Sequence, residues 1–196
     1  MSCGPDSVVE LPAEAALQVI YLGISGVLHP SESLFWLLRN CSVWESGHKP
    51  YEGVVLLERA LRVWPAVRIV LTSTQPRSKG FENVMRELGS GIAGRVIGCT
   101  FQDLTTLARH GPRDRPMSTE DYWRCNKSEL VRRHVRWLRP ASWLAIDDDT
   151  ILWSDEERER HFIEVDGSLG LLYDKAARRN LVRMLEHAFS AEPRRG

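Results

Sequence analysis

The chain has 196 residues and a mass of 22.4 kDa, with 43% hydrophobic and 27% charged residues and a mean hydropathy of −0.28. That is the profile of one soluble globular domain, whose single core buries about 70% of the unfolded chain's surface without help from a metal or a disulfide. Lys plus Arg equals Asp plus Glu, at 26 each, which excludes a histone-like or strongly acidic binder but leaves room for a local patch.

Before the first apolar stretch stand Asp6, Glu10 and Glu14 with no Lys or Arg, so no secretory signal is expected. The run after Glu14 is interrupted by Gln18, Gly23, Ser25, Gly26 and Pro30, unlike a membrane span, and a cytoplasmic protein is expected. Leu17 to Leu22 reads as a buried strand ended by Gly23. Residues 31–50 form a first insertion. Tyr51 to Trp64 carries Val54, Leu57, Leu61 and Trp64 on one helical stripe, stopped by Pro65. Val67 to Leu71 is a second strand, ended by the polar turn from Thr72 to Pro76. A helix is predicted from about Gly80 to Leu88, with Gly89 as its stop.

Arg95 to Cys99 reads as a third strand. Residues 103–123 break the rhythm as loop, marked by Gly111-Pro112 and Arg115-Pro116. Lys127 to Leu138 is helical and is closed by Pro140. Trp143 to Ile146 is a fourth strand running into Asp147-Asp148-Asp149, Phe162 to Val165 a fifth, and Asp174 to Phe189 a last helix. Strand alternating with helix predicts an α/β fold, a parallel sheet of about five strands with helices on both faces. Residues 15–191 make one domain, with flexible ends at 1–14 and 192–196. The four cysteines (Cys3, Cys41, Cys99, Cys125) are far apart and read as free thiols. Of the seven tryptophans, most are expected in the core, with Trp36, Trp44 and Trp123 placed to line a pocket mouth.

Ligands of such a sheet bind at the carboxyl ends of its strands. Gathered there are Gly23 to Pro30 after the first strand, Thr72-Ser73-Thr74 after the second, and three aspartates after the fourth; Lys127 opens the helix before it. Hydroxyls and a lysine suit phosphate oxygens, and clustered carboxylates suit a hard cation such as magnesium.

This order of motifs resembles the haloacid dehalogenase (HAD) superfamily of phosphatases. It looks most like the HAD domain associated with bacterial RNA-repair proteins, whose first motif is an apolar strand followed by D-x-D-G-V-L-H-P. The resemblance runs from Leu17 to the last helix and is best over Gly26 to Pro30. It implies a Rossmann-like HAD fold with a small or absent cap. It also implies that Thr72 or Ser73 holds phosphate beside Gly26, that Lys127 neutralises it, and that Asp147 and Asp148 bind magnesium, a binding expected to be weak here because the opposite carboxylate of the first motif is missing.

The departure lies in the first motif. Its two aspartates, which in the family are the nucleophile and the general acid, fall here on Gly23 and Ser25. Glycine has no nucleophile, and a serine with no adjacent base is a poor acid and a poor nucleophile. The reading is a HAD-like phosphatase homologue, catalytically impaired, whose pocket binds a phosphorylated ligand or a protein partner. One alternative is an active phosphohydrolase on a nucleic-acid end or small phosphoester, using water activated on a metal held by Asp147 and Asp148. Another is a nucleic-acid-binding module on the helix from residue 124 to 139, through Arg124, Arg132, Arg133, Arg136 and Arg139.

Each feature also has a plainer reading. Gly23 and Gly26 serve equally as a way for the chain to leave the sheet. Three aspartates also suit a solvated turn. Arg124 and Asn126 stand close enough to compete with Lys127 for its role, the basic helix also reads as a solvated face, and His29 reads as a packed loop residue more readily than a base.

Overall fold

The apolar runs become strands because both faces of the sheet they form are covered, which rewards continuous rather than alternating hydrophobicity. The structure is a computed structural model that describes residues 17–32, 46–105 and 116–190. Its strands are β1 (Gln18–Leu22), β2 (Arg68–Leu71), β3 (Val96–Cys99), β4 (Ser142–Asp147) and β5 (Phe162–Glu164). All neighbouring pairs are parallel, in the order β3-β2-β1-β4-β5. The chain therefore steps outward from β1 to β3, then returns to the other side of β1. The order reverses between β1 and β4, and the ligand crevice of such a sheet lies by topology at the carboxyl ends of these strands.

Nine helices lie among the described residues: α1 (Val54–Ala60), α2 (Gln75–Lys79), α3 (Phe81–Ala93), α4 (Thr100–Thr105), α5 (Thr119–Arg124), α6 (Lys127–Leu138), α7 (Asp155–Arg160), α8 (Gly170–Tyr173) and α9 (Lys175–Phe189). On one face Ile20, Leu22, Ile69, Leu71, Leu144 and Ile146 pack against Leu57 of α1, Leu88 of α3 and Leu181 and Met184 of α9. On the other, Val19, Tyr21, Val70 and Ala145 meet Val131 of α6 and Trp153. Each such aliphatic side chain, fully buried, contributes about 1.5–3 kcal/mol.

A buried polar chain fixes α6 on β1 as well. The Tyr21 hydroxyl lies 3.0 Å from His134 Nδ1, and His134 Nε2 lies 3.1 Å from Asp103 Oδ2. At the outer side of α6 the Arg132 guanidinium donates to both oxygens of Glu157 and to the Leu152 carbonyl, tying α6 to α7. These contacts set where α6 begins, and so where Lys127 stands.

Several expectations need correction. Gly89 does stop the regular helix, its φ of 69° and ψ of 162° being non-helical, but a second helical stretch, included in α3, follows this kink to Ala93. The expected helix from Tyr51 to Trp64 is regular only from Val54 and tightens to a 3-10 turn over Leu61–Val63. The stretch 103–123, read as loop, contains the end of α4 and all of α5 but its last residue, Arg124; Ser118 caps α5 by accepting from the Asp121 amide. Of the five described tryptophans only Trp153 is fully buried; Trp64, Trp137 and Trp143 are half-buried at the sheet margins and Trp123 is exposed. Cys99 and Cys125 are free thiols. The expected flexible ends, Cys3, Cys41, Trp36, Trp44 and most of the insertion at 31–50 lie outside the described residues. No helix among the described residues is long and apolar enough to cross a membrane.

Candidate functional site

Three chain segments reach the crevice where the strand order reverses. The Gly23 amide donates to the Ile146 carbonyl (2.9 Å) and the Thr72 amide to the Leu22 carbonyl (2.9 Å), which lashes the ends of β1, β2 and β4 side by side. Beyond Gly23 the chain turns sharply. The Val27 and Leu28 amides both donate to the Ile24 carbonyl, and Gly26 takes a φ of 79° that favours glycine. His29 is packed under this turn, its Nδ1 accepting from the Tyr51 amide at 3.2 Å; burial holds its pKa below the ordinary value.

Asp147, the last residue of β4, is only 3% exposed and makes three hydrogen bonds. Oδ1 accepts from Lys127 Nζ at 2.6 Å and from the Asp149 amide at 3.0 Å, and Oδ2 accepts from the Thr72 hydroxyl at 3.1 Å. Lys127 is the first residue of α6, and its Nζ also lies 3.8 Å from Asp148 Oδ1. Burial alone would pull its pKa down, but the charge and hydrogen bond of Asp147, with Asp148 and Asp149 behind, raise it above the ordinary lysine value. Asp148 has the opposite problem: burial first, then the charge of Asp147, push its carboxyl up to about 6. Asp149 turns away; its Oδ1 accepts from the Ile151 amide within the local turn.

Gly23 and Ser25, the positions expected to replace the first-motif aspartates, differ in their surroundings. A Cβ built on Gly23 would stand 2.6 Å from Asp147 Oδ2, so the Asp147 carboxylate fills the space a side chain there would take. Ser25 is exposed at the mouth of the turn. Gly26 lies against Asp148, where an added Cβ would meet Oδ2 at 2.0 Å. Ser73 is buried, and its hydroxyl oxygen accepts from the Gln75 amide at 3.2 Å. Thus Gly23, Gly26, Thr72, Lys127, Asp147 and Asp148 come together at this end of the sheet, with Ser73 next to Thr72 in the chain and Ser25 exposed.

At the start of α6, Asn126 caps the helix without a side-chain hydrogen bond, and the Ser128 hydroxyl is buried without a partner among the described residues. Amides of an uncapped first turn, an ammonium and two hydroxyls make an environment for a phosphoryl group. The expected basic helix from 124 to 139 is broken, since Arg124 ends α5 and α6 starts at Lys127, and its arginines are largely engaged: Arg124 with Glu120, Arg132 with Glu157 and Arg133 with Glu129. Only Arg136 and Arg139 of that set are without a described acid.

The sequence reading missed a second cluster beside the crevice. Arg77 of α2 lies over two rings at once, 5.0 Å from the centroid of Phe101 and 5.1 Å from that of Trp123. Trp123 carried a signal, as a tryptophan in an inserted segment. Arg77 and Phe101 carried none, because they arrive from two different strand-to-helix connections.

The family described as the HAD domain in Swiss Army Knife RNA repair proteins matches residues 19–176. No curated protein and no solved structure matches the chain. HAD domains generally use magnesium, and the donors here do not fit it. Both Asp147 oxygens are already engaged by protein donors and an ammonium lies within reach of both carboxylates. Gly23 supplies no oxygen ligand from its side chain, and the described residues contain no cluster of three metal-binding side chains.

Proposed function

Because the chain belongs to the family of HAD domains found in Swiss Army Knife RNA repair proteins, we propose that it is a phosphatase homologue that binds a phosphorylated ligand without turning it over. One observation carries this reading. The place of the nucleophile is held by Gly23, and the Asp147 carboxylate, locked between Thr72 and Lys127, occupies the space beside it. No carboxylate follows β1 to attack phosphorus, and no acid stands at Ser25 to protonate a leaving group.

What remains suits binding. Lys127 offers its remaining N–H donors and its charge, Ser73 a hydroxyl, and the first turn of α6 its amides. Lys127 itself supplies the positive charge at Asp147 and Asp148, so ligand binding needs no divalent cation.

The test combines two measurements on the purified protein. Inorganic phosphate at millimolar concentration should raise the melting temperature in the presence of a chelator, since a ligand of the native state alone stabilises by mass action. An aryl phosphate with magnesium should show no hydrolysis above buffer. Turnover that disappears in Asp147→Asn would overturn the reading.

A further inference from the structure

The stack of Arg77 on Phe101 and Trp123 stands at the same end of the sheet as the phosphate crevice. Arg77 lies on α2, directly after the Thr72–Ser73 loop, and Phe101 lies two residues beyond the end of β3. Trp123, in the last turn of α5, is only four residues before Lys127, so their Cα atoms are at most about 14 Å apart. Trp123 is 48% exposed. Its neighbour Tyr122 is buried, with its hydroxyl 2.9 Å from that of Thr100, and anchors the short helix beneath it. The indole is therefore held out of the core by a helix whose other face is in it.

The cost of that arrangement calls for a reason. A tryptophan left half in water forgoes much of the stabilisation its burial would supply. The guanidinium of Arg77 is exposed and donates no hydrogen bond to any described residue; its described contacts are the two rings. A planar cation already stacked on aromatic faces, with its N–H donors unspent, pairs a surface for π-stacking with a ready phosphate contact.

We propose that Trp123, Arg77 and Phe101 form a stacking platform for a base near the phosphorylated end of a single-stranded nucleic acid, whose terminal phosphate enters the crevice at Lys127. The terminal-phosphate half of this proposal rests on the binding function argued above; the platform rests on its own geometry. Stacking on Trp123 is tolerant of base identity because every base has a π-face. Arg77 meets the next phosphate along the strand. A duplex end, whose bases are already stacked, binds less well.

Fluorescence anisotropy of short labelled single-stranded RNA, carrying either a terminal phosphate or a hydroxyl, tests both halves. The wild-type protein should prefer the phosphate-ended strand. Trp123→Ala should weaken binding about tenfold or more, by the usual worth of one base on an aromatic ring. Trp123→Phe should keep most of the affinity, and an abasic residue near the end should weaken wild-type binding as much as Trp123→Ala does. Unchanged affinity of a well-folded Trp123→Ala for the phosphate-ended strand overturns the platform but leaves the phosphate crevice standing. Equal binding of both ends, still lost in Trp123→Ala, keeps the platform and overturns the crevice as a phosphate site. Absence of binding to either strand overturns both.

Discussion

Replacing Lys127 by methionine, which keeps an unbranched apolar stem and lacks the terminal ammonium, leaves Asp147 without its counter-charge. Breaking a buried ion pair from one side costs about 3–5 kcal/mol, because the remaining charge is stranded. Two features place this case at the lower end. The Lys127 side chain is 29% exposed, so water reaches the pair, and Asp147 keeps the Thr72 hydroxyl and the Asp149 amide as donors. A loss of about 3 kcal/mol corresponds to a fall of about 6–12 °C in melting temperature for a domain of this size.

The Lys127→Met/Asp147→Asn double variant strands no charge at position 147, and it should recover at least half of the loss in chemical denaturation at pH 7. The ammonium's pKa stands above its ordinary value, so the stabilisation is present throughout the neutral range and disappears only in strong base. A single variant that loses less than about 1 kcal/mol, or a double variant no better than the single, would refute the idea that Lys127 is the resident counter-charge of Asp147.

Asp148→Asn should stabilise the protein by about 1–3 kcal/mol at pH 7.5 and by nothing below pH 4. The reason is that the native carboxyl, pushed up to about 6, makes ionisation costly only above the unfolded value; denaturation at the two pH values checks it. Glu157→Gln should do the reverse. Arg132 holds Glu157 down at about 2, so the wild-type advantage, about 1 kcal/mol after screening by water, should be present above pH 5 and fade as pH falls toward 2. In Gly23→Asp/Ser25→Asp the new Cβ meets Asp147 Oδ2 and Val27 Cγ2 at 2.6 and 2.9 Å, so the variant should melt several degrees lower. Magnesium with beryllofluoride should raise its melting temperature but not the parent's; no such rise in a folded variant would mean that Gly23 does not face Asp147 across a usable pocket.

The strands were legible in the sequence because each is a short branched run closed by glycine or a polar turn, as Leu22-Gly23 and Leu71-Thr72 are. The convergence of Gly26, Thr72, Lys127 and Asp147 was legible too, since a parallel sheet brings the residues after its strands to one edge. What escaped depended on partners far away in sequence. Ser154 and Glu157 form a capping box that starts α7, a signal present in the sequence as S-x-x-E. That Glu157 would also clasp Arg132 of α6 is a tertiary fact, and it removes one arginine from the basic face that the sequence presented as free. Gly89 followed local rules and interrupts the helix with a positive φ, while the short helical stretch after it, with Ile92 in the core, had no signal of its own. The run of three aspartates divided along similar lines: two face the crevice and Asp149 is spent on its own turn.

The central claim is that the crevice retains phosphate and cannot cleave its ester. A phosphorus NMR time course on a terminally phosphorylated dinucleotide, mixed with an equal amount of protein and excess magnesium, tests it in one tube. The account predicts that the terminal phosphate resonance shifts and broadens at once and that no inorganic phosphate signal grows over a day. A growing inorganic phosphate signal, absent when Lys127→Met protein is used instead, would contradict it.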